Sequence, residues 1–159
     1  VTTVEHRPWD DPNGIHLRER QREEILARYG GEDTEPGVHP SAADVAVFLI
    51  AFDDAGTPLG CGALRQLDDT SAEVKRMYVE PAARGTGVAT AVLRALEQAA
   101  VDRGWTTVRL ETGTGQPDAI RFYEREGYRP IPLYGDYVGS EVSLCYERVL
   151  SPGVPADAR

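Results

Sequence analysis

Cysteine and histidine are scarce in this sequence, two and three residues of 159. Cys61 and Cys145 stand far apart, outside any CxxC spacing and within apolar, strand-like runs. They read as two reduced buried thiols and not as a disulfide framework. His6, His16 and His39 show no ligand spacing, so no metal site is expected. Long apolar runs are also lacking. No stretch approaches the roughly 20 apolar residues that cross a bilayer as a helix, and residues 1–5 have neither the basic start nor the apolar run of a signal peptide. A cytoplasmic location, with no membrane partner, is the expectation. Positive charge is in the minority, with 17 Lys and Arg against 26 Asp and Glu and a net charge of −9. That argues against a nucleic-acid partner, because neutralising phosphates needs a basic stripe.

What is present fits one globular domain, expected over residues 1–150 of an α/β chain. Hydrophobic residues make up 41% and charged residues 27%, and a chain of this length buries roughly two-thirds of its unfolded surface. Periodicity and turn residues predict strands over 2–7, 44–52, 57–66, 72–79, 105–111, 128–134 and 141–149. Helices are predicted over 14–29, 87–103 and 116–126. The run Val45, Val47, Phe48, Leu49, Ile50 is apolar without alternation, the pattern of a strand covered on both faces. The first helix has a thin apolar line of Leu17, Ile25, Leu26 and Tyr29. A polar loop over 30–43 follows it, a length at which loops often act as lids. The tail 151–159, with Pro152, Gly153 and Pro155, is expected to fray.

Charge is distributed unevenly. Residues 75–94 hold Lys75, Arg76, Arg84 and Arg94 against Glu80, a segment that tolerates an anion. Residues 1–44 hold ten acids against five arginines. Among them, Glu19, Glu23, Glu24, Glu32, Asp33 and Glu35 either favour a cationic ligand or are solvated surface.

The chemically informative stretch is 73–128. A strand passes through Arg84-Gly85-Thr86-Gly87-Val88-Ala89 into a helix. Unpaired backbone N–H groups converge at such a helix start, and the helix dipole adds partial positive charge. Gly85 and Gly87 remove side chains that would block a phosphate. The loop is therefore a candidate pyrophosphate cradle, or simply a helix start that needs glycine. A Walker A loop is excluded because no lysine follows the glycines, and a Rossmann fingerprint because Thr90 stands where its third glycine would be.

These residues resemble motif A of the GNAT N-acetyltransferase superfamily, whose loop pattern Q/R-x-x-G-x-G/A falls on residues 82–87, with Ala82 in place of Gln or Arg. Downstream, Ala119-Ile120-Arg121-Phe122-Tyr123-Glu124-Arg125-Glu126-Gly127-Tyr128 resembles the family's motif B, A-x-x-F-Y-x-x-x-G-F/Y. Gln116 stands where many members have Asn. The resemblance covers residues 44–149 in matching element order. It implies a mixed, mostly antiparallel sheet with two central parallel strands that splay apart, flanked by helices.

The resemblance also implies acetyl-CoA as co-substrate and an amine as acceptor. The pantetheine arm would pair with the backbone at Met77, Tyr78 and Val79. The pyrophosphate would sit on Arg84, Gly85, Thr86, Gly87, Val88 and Ala89, and Gln116, Ile120 and Tyr123 would line the channel. Tyr123 would protonate the departing thiolate. A phenol at pKa ~10 giving its proton to a thiolate of pKa ~8.5 is uphill by about 2 kcal/mol, so a close hydrogen bond and a coupled proton return are needed. The residues alone also allow Tyr123 to be a packing aromatic, on one helical face with Ile120. A base must free the amine lone pair. Glu73, expected to share strand parity with Lys75 and Met77, and Glu111, expected at the end of the neighbouring strand, are the candidates, or neither serves. The Met77 N–H is a candidate oxyanion donor. The acceptor site would be built by residues 14–43 and 130–141, with Tyr134, Gly135 and Tyr137 as an aromatic wall. Family members often pair, so a homodimer is an implied assembly. A non-catalytic acyl-CoA-binding regulatory domain is the alternative, although pure binding does not need the Tyr123 proton.

Overall fold

The computed structural model describes residues 1–31 and 35–150. Its elements are β1 (Thr3–His6), α1 (Pro12–Arg28), β2 (Val45–Phe52), β3 (Pro58–Gln66), β4 (Ser71–Val79), α2 (Val88–Asp102), β5 (Thr107–Gly113), α3 (Pro117–Arg125), β6 (Arg129–Ile131) and β7 (Ser143–Val149). Short 3-10 turns lie at Pro81–Ala83 and Gly135–Tyr137. The element order is the one expected. Glu32, Asp33 and the tail expected to fray lie outside the described residues.

The seven strands form one sheet in the order β1-β2-β3-β4-β5-β7-β6. Strands β4 and β5 pair in parallel, and the other pairs are antiparallel. Alternate residues of β2 enter two cores. Val47, Leu49 and Ala51 pack beneath α2 with Val92, Leu93 and Leu96. Phe48, Ile50 and Phe52 pack with Leu17 of α1 on the opposite face. Burying each such large side chain is worth roughly 1.5–3 kcal/mol, so both helices are held to the sheet by its central strand. Gly14 lets α1 approach, since a Cβ there would lie 2.4 Å from a Phe48 ring carbon.

The sheet opens in its middle. Strands β4 and β5 pair only from Ser71–Glu73 to Thr107–Arg109. Beyond that point β4 stays with β3 and β5 stays with β7. The gap between Val74–Val79 and Leu110–Gly113 holds the candidate site.

Two local features correct the sequence-based expectations. Strand β5 begins later and ends later than predicted. Gly104 takes φ +82° and the Trp105 N–H donates to Ala100 O at 2.9 Å. This left-handed cap consumes Trp105, so β5 starts at Thr107 and Glu111 lies within the strand, not at its end. The second feature is a bulge in β4. The β3–β4 register passes from Cys61 opposite Tyr78 to Ala63 opposite Lys75, leaving Arg76 and Met77 together opposite Gly62. Arg76 adopts φ +58°, the left-handed region. The extra residue inverts side-chain parity. Lys75 faces the Gly135–Tyr137 turn, bonding Tyr137. Met77 turns to the α2 face, where its Sδ would lie 2.6 Å from a Cβ on Gly62. The expected common parity of Glu73, Lys75 and Met77 therefore fails at Met77.

Candidate active site

Where β4 and β5 part, two cavities of about 420 and 610 Å³ open. Gln21, Ile25, Met77, Gln116, Ala119 and Tyr123 belong to the walls of both. The larger cavity runs along the end of β4 to the start of α2, past Tyr78, Val79, Arg84, Gly85, Gly87, Val88 and Ala89. Gly85 and Gly87 take φ +77° and +91°. A Cβ on either would meet nothing within 4 Å. The backbone, not packing, demands glycine here, and the space above the loop is open. Gly87 caps α2 without a side-chain hydrogen bond, so the first helical N–H groups are available to an anion. This cradle fits a pyrophosphate. Arg84 is held beside it, its Nε donating to Val79 O at 2.9 Å and its Nη2 to Glu24 Oε2 at 2.6 Å.

Thr86 turns its hydroxyl back to the Ala83 carbonyl, which leaves its place in the cradle to its backbone N–H. Ile120, expected to line the channel, packs against the core beneath α2. Gln116 caps the start of α3 and faces both cavities.

Tyr123 is 7% exposed, and burial alone raises its phenol above the usual range. Its ring is wedged edge-on against Phe122 and Tyr128, at centroid distances of 5.1 and 5.8 Å. Tyr128 in turn donates to Glu97 Oε2 at 2.7 Å, and Arg148 donates to Glu97 Oε1 at 2.6 Å. Buried polar contacts thus tie the end of α3 to α2 and β7 and fix the tyrosine that both cavities share.

The two candidate bases differ sharply. Glu73 is 1% exposed. It accepts hydrogen bonds from Arg65 Nη2 (2.9 Å), Tyr134 Oη (2.6 Å) and Tyr137 Oη (2.8 Å). It does not line either cavity. Glu111 does line the smaller one. Burial pushes its carboxyl up, and the Ser143 hydroxyl, donating at 2.7 Å, offsets this only in part.

A polar chain continues from Glu73. Tyr137 accepts from Lys75 Nζ at 3.0 Å, and Lys75, the sequence's only lysine, donates to Glu35 Oε2 at 2.6 Å. Arg76 grips both oxygens of Glu35 at 2.8 and 2.9 Å. Burial works against the Glu35 charge, but these cations outweigh it and hold its carboxyl at about 2. Sequence reasoning treated Glu35 as one acid among many. The 40 residues separating it from Lys75 left no local signal.

Gln21 is a second residue the sequence did not mark. Its Nε2 donates to Met77 O at 2.8 Å, and its Oε1 is buried with no partner. Its position one turn before Ile25 on the apolar side of α1 was the available hint. Cys61 and Cys145 are buried and unpaired, and burial raises the Cys61 thiol to about 12.

Comparison with known proteins agrees with this geometry. A family model described as the acetyltransferase (GNAT) family matches residues 5–128. An IAA acetyltransferase of Azospirillum brasilense is 36% identical over 104 residues, covering 65% of this chain and 67% of that protein. Other curated relatives are spanned over only 50–56% of their own length. Among solved structures, an acyl-CoA N-acyltransferase from Klebsiella pneumoniae superposes with a TM-score of 0.82 at 27% identity, covering 95% of this chain and 99% of its own. A GNAT acetyltransferase from Elizabethkingia anophelis, solved with acetyl-CoA bound, gives 0.69 at 14% identity, covering 94% and 98%. The latter likeness is one of fold.

Proposed function

The chain belongs to the acetyltransferase (GNAT) family, and on that footing we propose that it transfers acetyl from acetyl-CoA directly to a primary amine of a small molecule or peptide. The observation that carries the proposal is the wall shared by the two cavities. One side offers a channel ending in a glycine cradle, the other a separate chamber, and Tyr123 belongs to both. Direct transfer needs such a meeting of two substrates in one ternary complex.

In this reaction Glu111 takes a proton from the acceptor ammonium, directly or through water. The amine lone pair attacks the thioester carbonyl. The C–N bond forms and the oxyanion is stabilised by the Met77 N–H. The tetrahedral intermediate then collapses: the C–S bond breaks, Tyr123 protonates the thiolate, the second proton shed by the nitrogen as it becomes an amide returns through water to the Tyr123 phenolate, and Glu111 releases its own proton to solvent. Burial disfavours phenolate and thiolate alike, which keeps Tyr123 protonated until the leaving group needs its proton. Glu111 is the base in this scheme because it faces the acceptor chamber with a single hydrogen bond. Glu73 instead organises the tyrosines behind it.

A thiol-release assay over a panel of amines tests the proposal. Acetyl-CoA-dependent thiol release with an amine, together with the acetylated amine in the product, is expected. Binding of acetyl-CoA without release for any amine class would favour the regulatory acyl-CoA-binding alternative.

A further inference from the structure

The acceptor chamber contains a cation that no carboxylate pairs with among the described residues. Arg18 lines it from α1. Its Nη2 donates to the Trp9 carbonyl at 2.8 Å, its guanidinium carbon lies 3.6 Å over the centre of the Trp9 ring, and Phe48 lies on a further side at 5.0 Å. Nη1 is buried and makes no hydrogen bond. Among the described residues no carboxylate pairs with Arg18. Burial lowers its affinity for the proton, Cys61 acts in the opposite direction, and the Arg76 guanidinium, a like charge, adds to the lowering. A half-buried guanidinium held between two aromatic rings, with a like charge as neighbour, is a costly arrangement unless an anion completes it.

The other charges of the chamber do not supply that anion. Lys75 and Arg76 share the single carboxylate of Glu35, which leaves none of its charge for Arg18. Glu111 is half-buried on the β5 side with Ser143. Arg22, one turn after Arg18, adds a second cation to the same helical face. Among the described residues, the lining therefore holds four Lys and Arg side chains against three glutamates. The acid-rich start of the chain left two readings, a cationic ligand or a solvated surface, and two of its acids are held in ion pairs away from Arg18. Glu24 is bound by Arg84 and Glu35 by Lys75 and Arg76. Among the described residues, Glu19 is the acid of that segment that lines the chamber without such a role.

The geometry points to an acceptor that carries a carboxylate as well as its amine, an amino acid or similar amino carboxylate, with the carboxylate paired to Arg18. The inference rests on the proposed acetyl transfer and names the acceptor class for that site. Arg18 stands one turn, about 4.5–5 Å along the helix axis, before Gln21. Gln21 bonds the Met77 carbonyl where the two cavities meet. A carboxylate held at Arg18 thus places the amine of the same molecule inside the chamber that Tyr123 and Glu111 line. The ring of Trp9 and the side chains of Ile15 and Ile25 offer apolar surface to the rest of the molecule. Planar bidentate pairing is what a guanidinium does better than an ammonium, so Arg18 is a specificity-determining residue and lysine should replace it poorly.

Equilibrium binding separates this inference from the catalytic one. N-acetyl amino acids, the products of the proposed reaction, and their uncharged carboxamides are titrated calorimetrically into CoA-loaded protein. At least one N-acetyl amino acid should bind about tenfold or more tighter than its carboxamide. That preference should disappear in Arg18→Gln and be only partly restored in Arg18→Lys, with CoA affinity unchanged in both. If no acid outbinds its carboxamide in the wild-type protein, or if the preference survives in Arg18→Gln, the inference is overturned. The wild-type comparison needs no variant to fold, and neither result depends on turnover. Failure of acetyl transfer would be read separately, from absent thiol release.

Discussion

Tyr134 and Glu73 meet at 2.6 Å, hydroxyl to carboxylate, and with Tyr137 they seal Glu73 away from the chamber that Glu111 faces. The two carboxylates should therefore respond differently to the same substitution. Glu111→Gln removes the proton acceptor and should lower kcat by about 10²–10⁴-fold with stability nearly unchanged. Glu73→Gln leaves Arg65 with Asp44, at 3.2 Å, as its remaining carboxylate partner and weakens two buried phenol contacts. It should cost about 1–3 kcal/mol of stability, read by urea unfolding.

Glu111 also sets an expectation for pH. It must be ionised to accept a proton, and burial raises its carboxyl above the ordinary 4.5. The acidic limb of the kcat/KM profile should fall at a higher pH than an ordinary glutamate would give. Initial rates across the acidic range check this, and the limb should vanish in Glu111→Gln.

Tyr123→Phe removes the proton donor and keeps the ring that packs between Phe122 and Tyr128. Turnover should drop by about 10²–10⁴-fold while acetyl-CoA affinity stays within error of wild type. Unchanged turnover would mean that Tyr123 is a packing residue.

Gly87→Ala forces a left-handed conformation on a residue with a Cβ, at about 1–2 kcal/mol. It also places a methyl group in the open space above the loop. Acetyl-CoA binding, measured by calorimetry, should weaken by more than the melting temperature suggests.

The sequence made some parts of this architecture visible and hid others. The Gly85/Gly87 loop and the Phe122-Tyr123 pair were legible because each needs only neighbouring residues. The double covering of β2 was legible because an unbroken apolar run has few other uses. The Arg76 bulge was not. It depends on Gly62 across the sheet, and it moved Met77 to the opposite face from Glu73. The start of β5 was misjudged because Trp105, apolar and strand-like, was taken by the cap of α2. Glu35 was hidden among many acids until folding brought Lys75 and Arg76 to it.

Glu35 gives a further stability prediction with a definite sign. Its folded pKa of about 2 lies below the ordinary 4.5. Its contribution is therefore complete above about 4.5 and is lost as the pH falls towards 2. Urea midpoints followed across that window should fall in the wild-type protein. Glu35→Gln should start lower at neutral pH and show a shallower decline.

Direct transfer between the two cavities is tested most closely by a single-turnover experiment with acetyl-labelled acetyl-CoA. Protein, labelled acetyl-CoA and an accepted amine are mixed and quenched, and the label is located by mass spectrometry. Label on the amine, free thiol in equal amount and no acetylated protein are expected. Label held covalently on the protein, or label left on CoA with every amine tried, would contradict direct transfer.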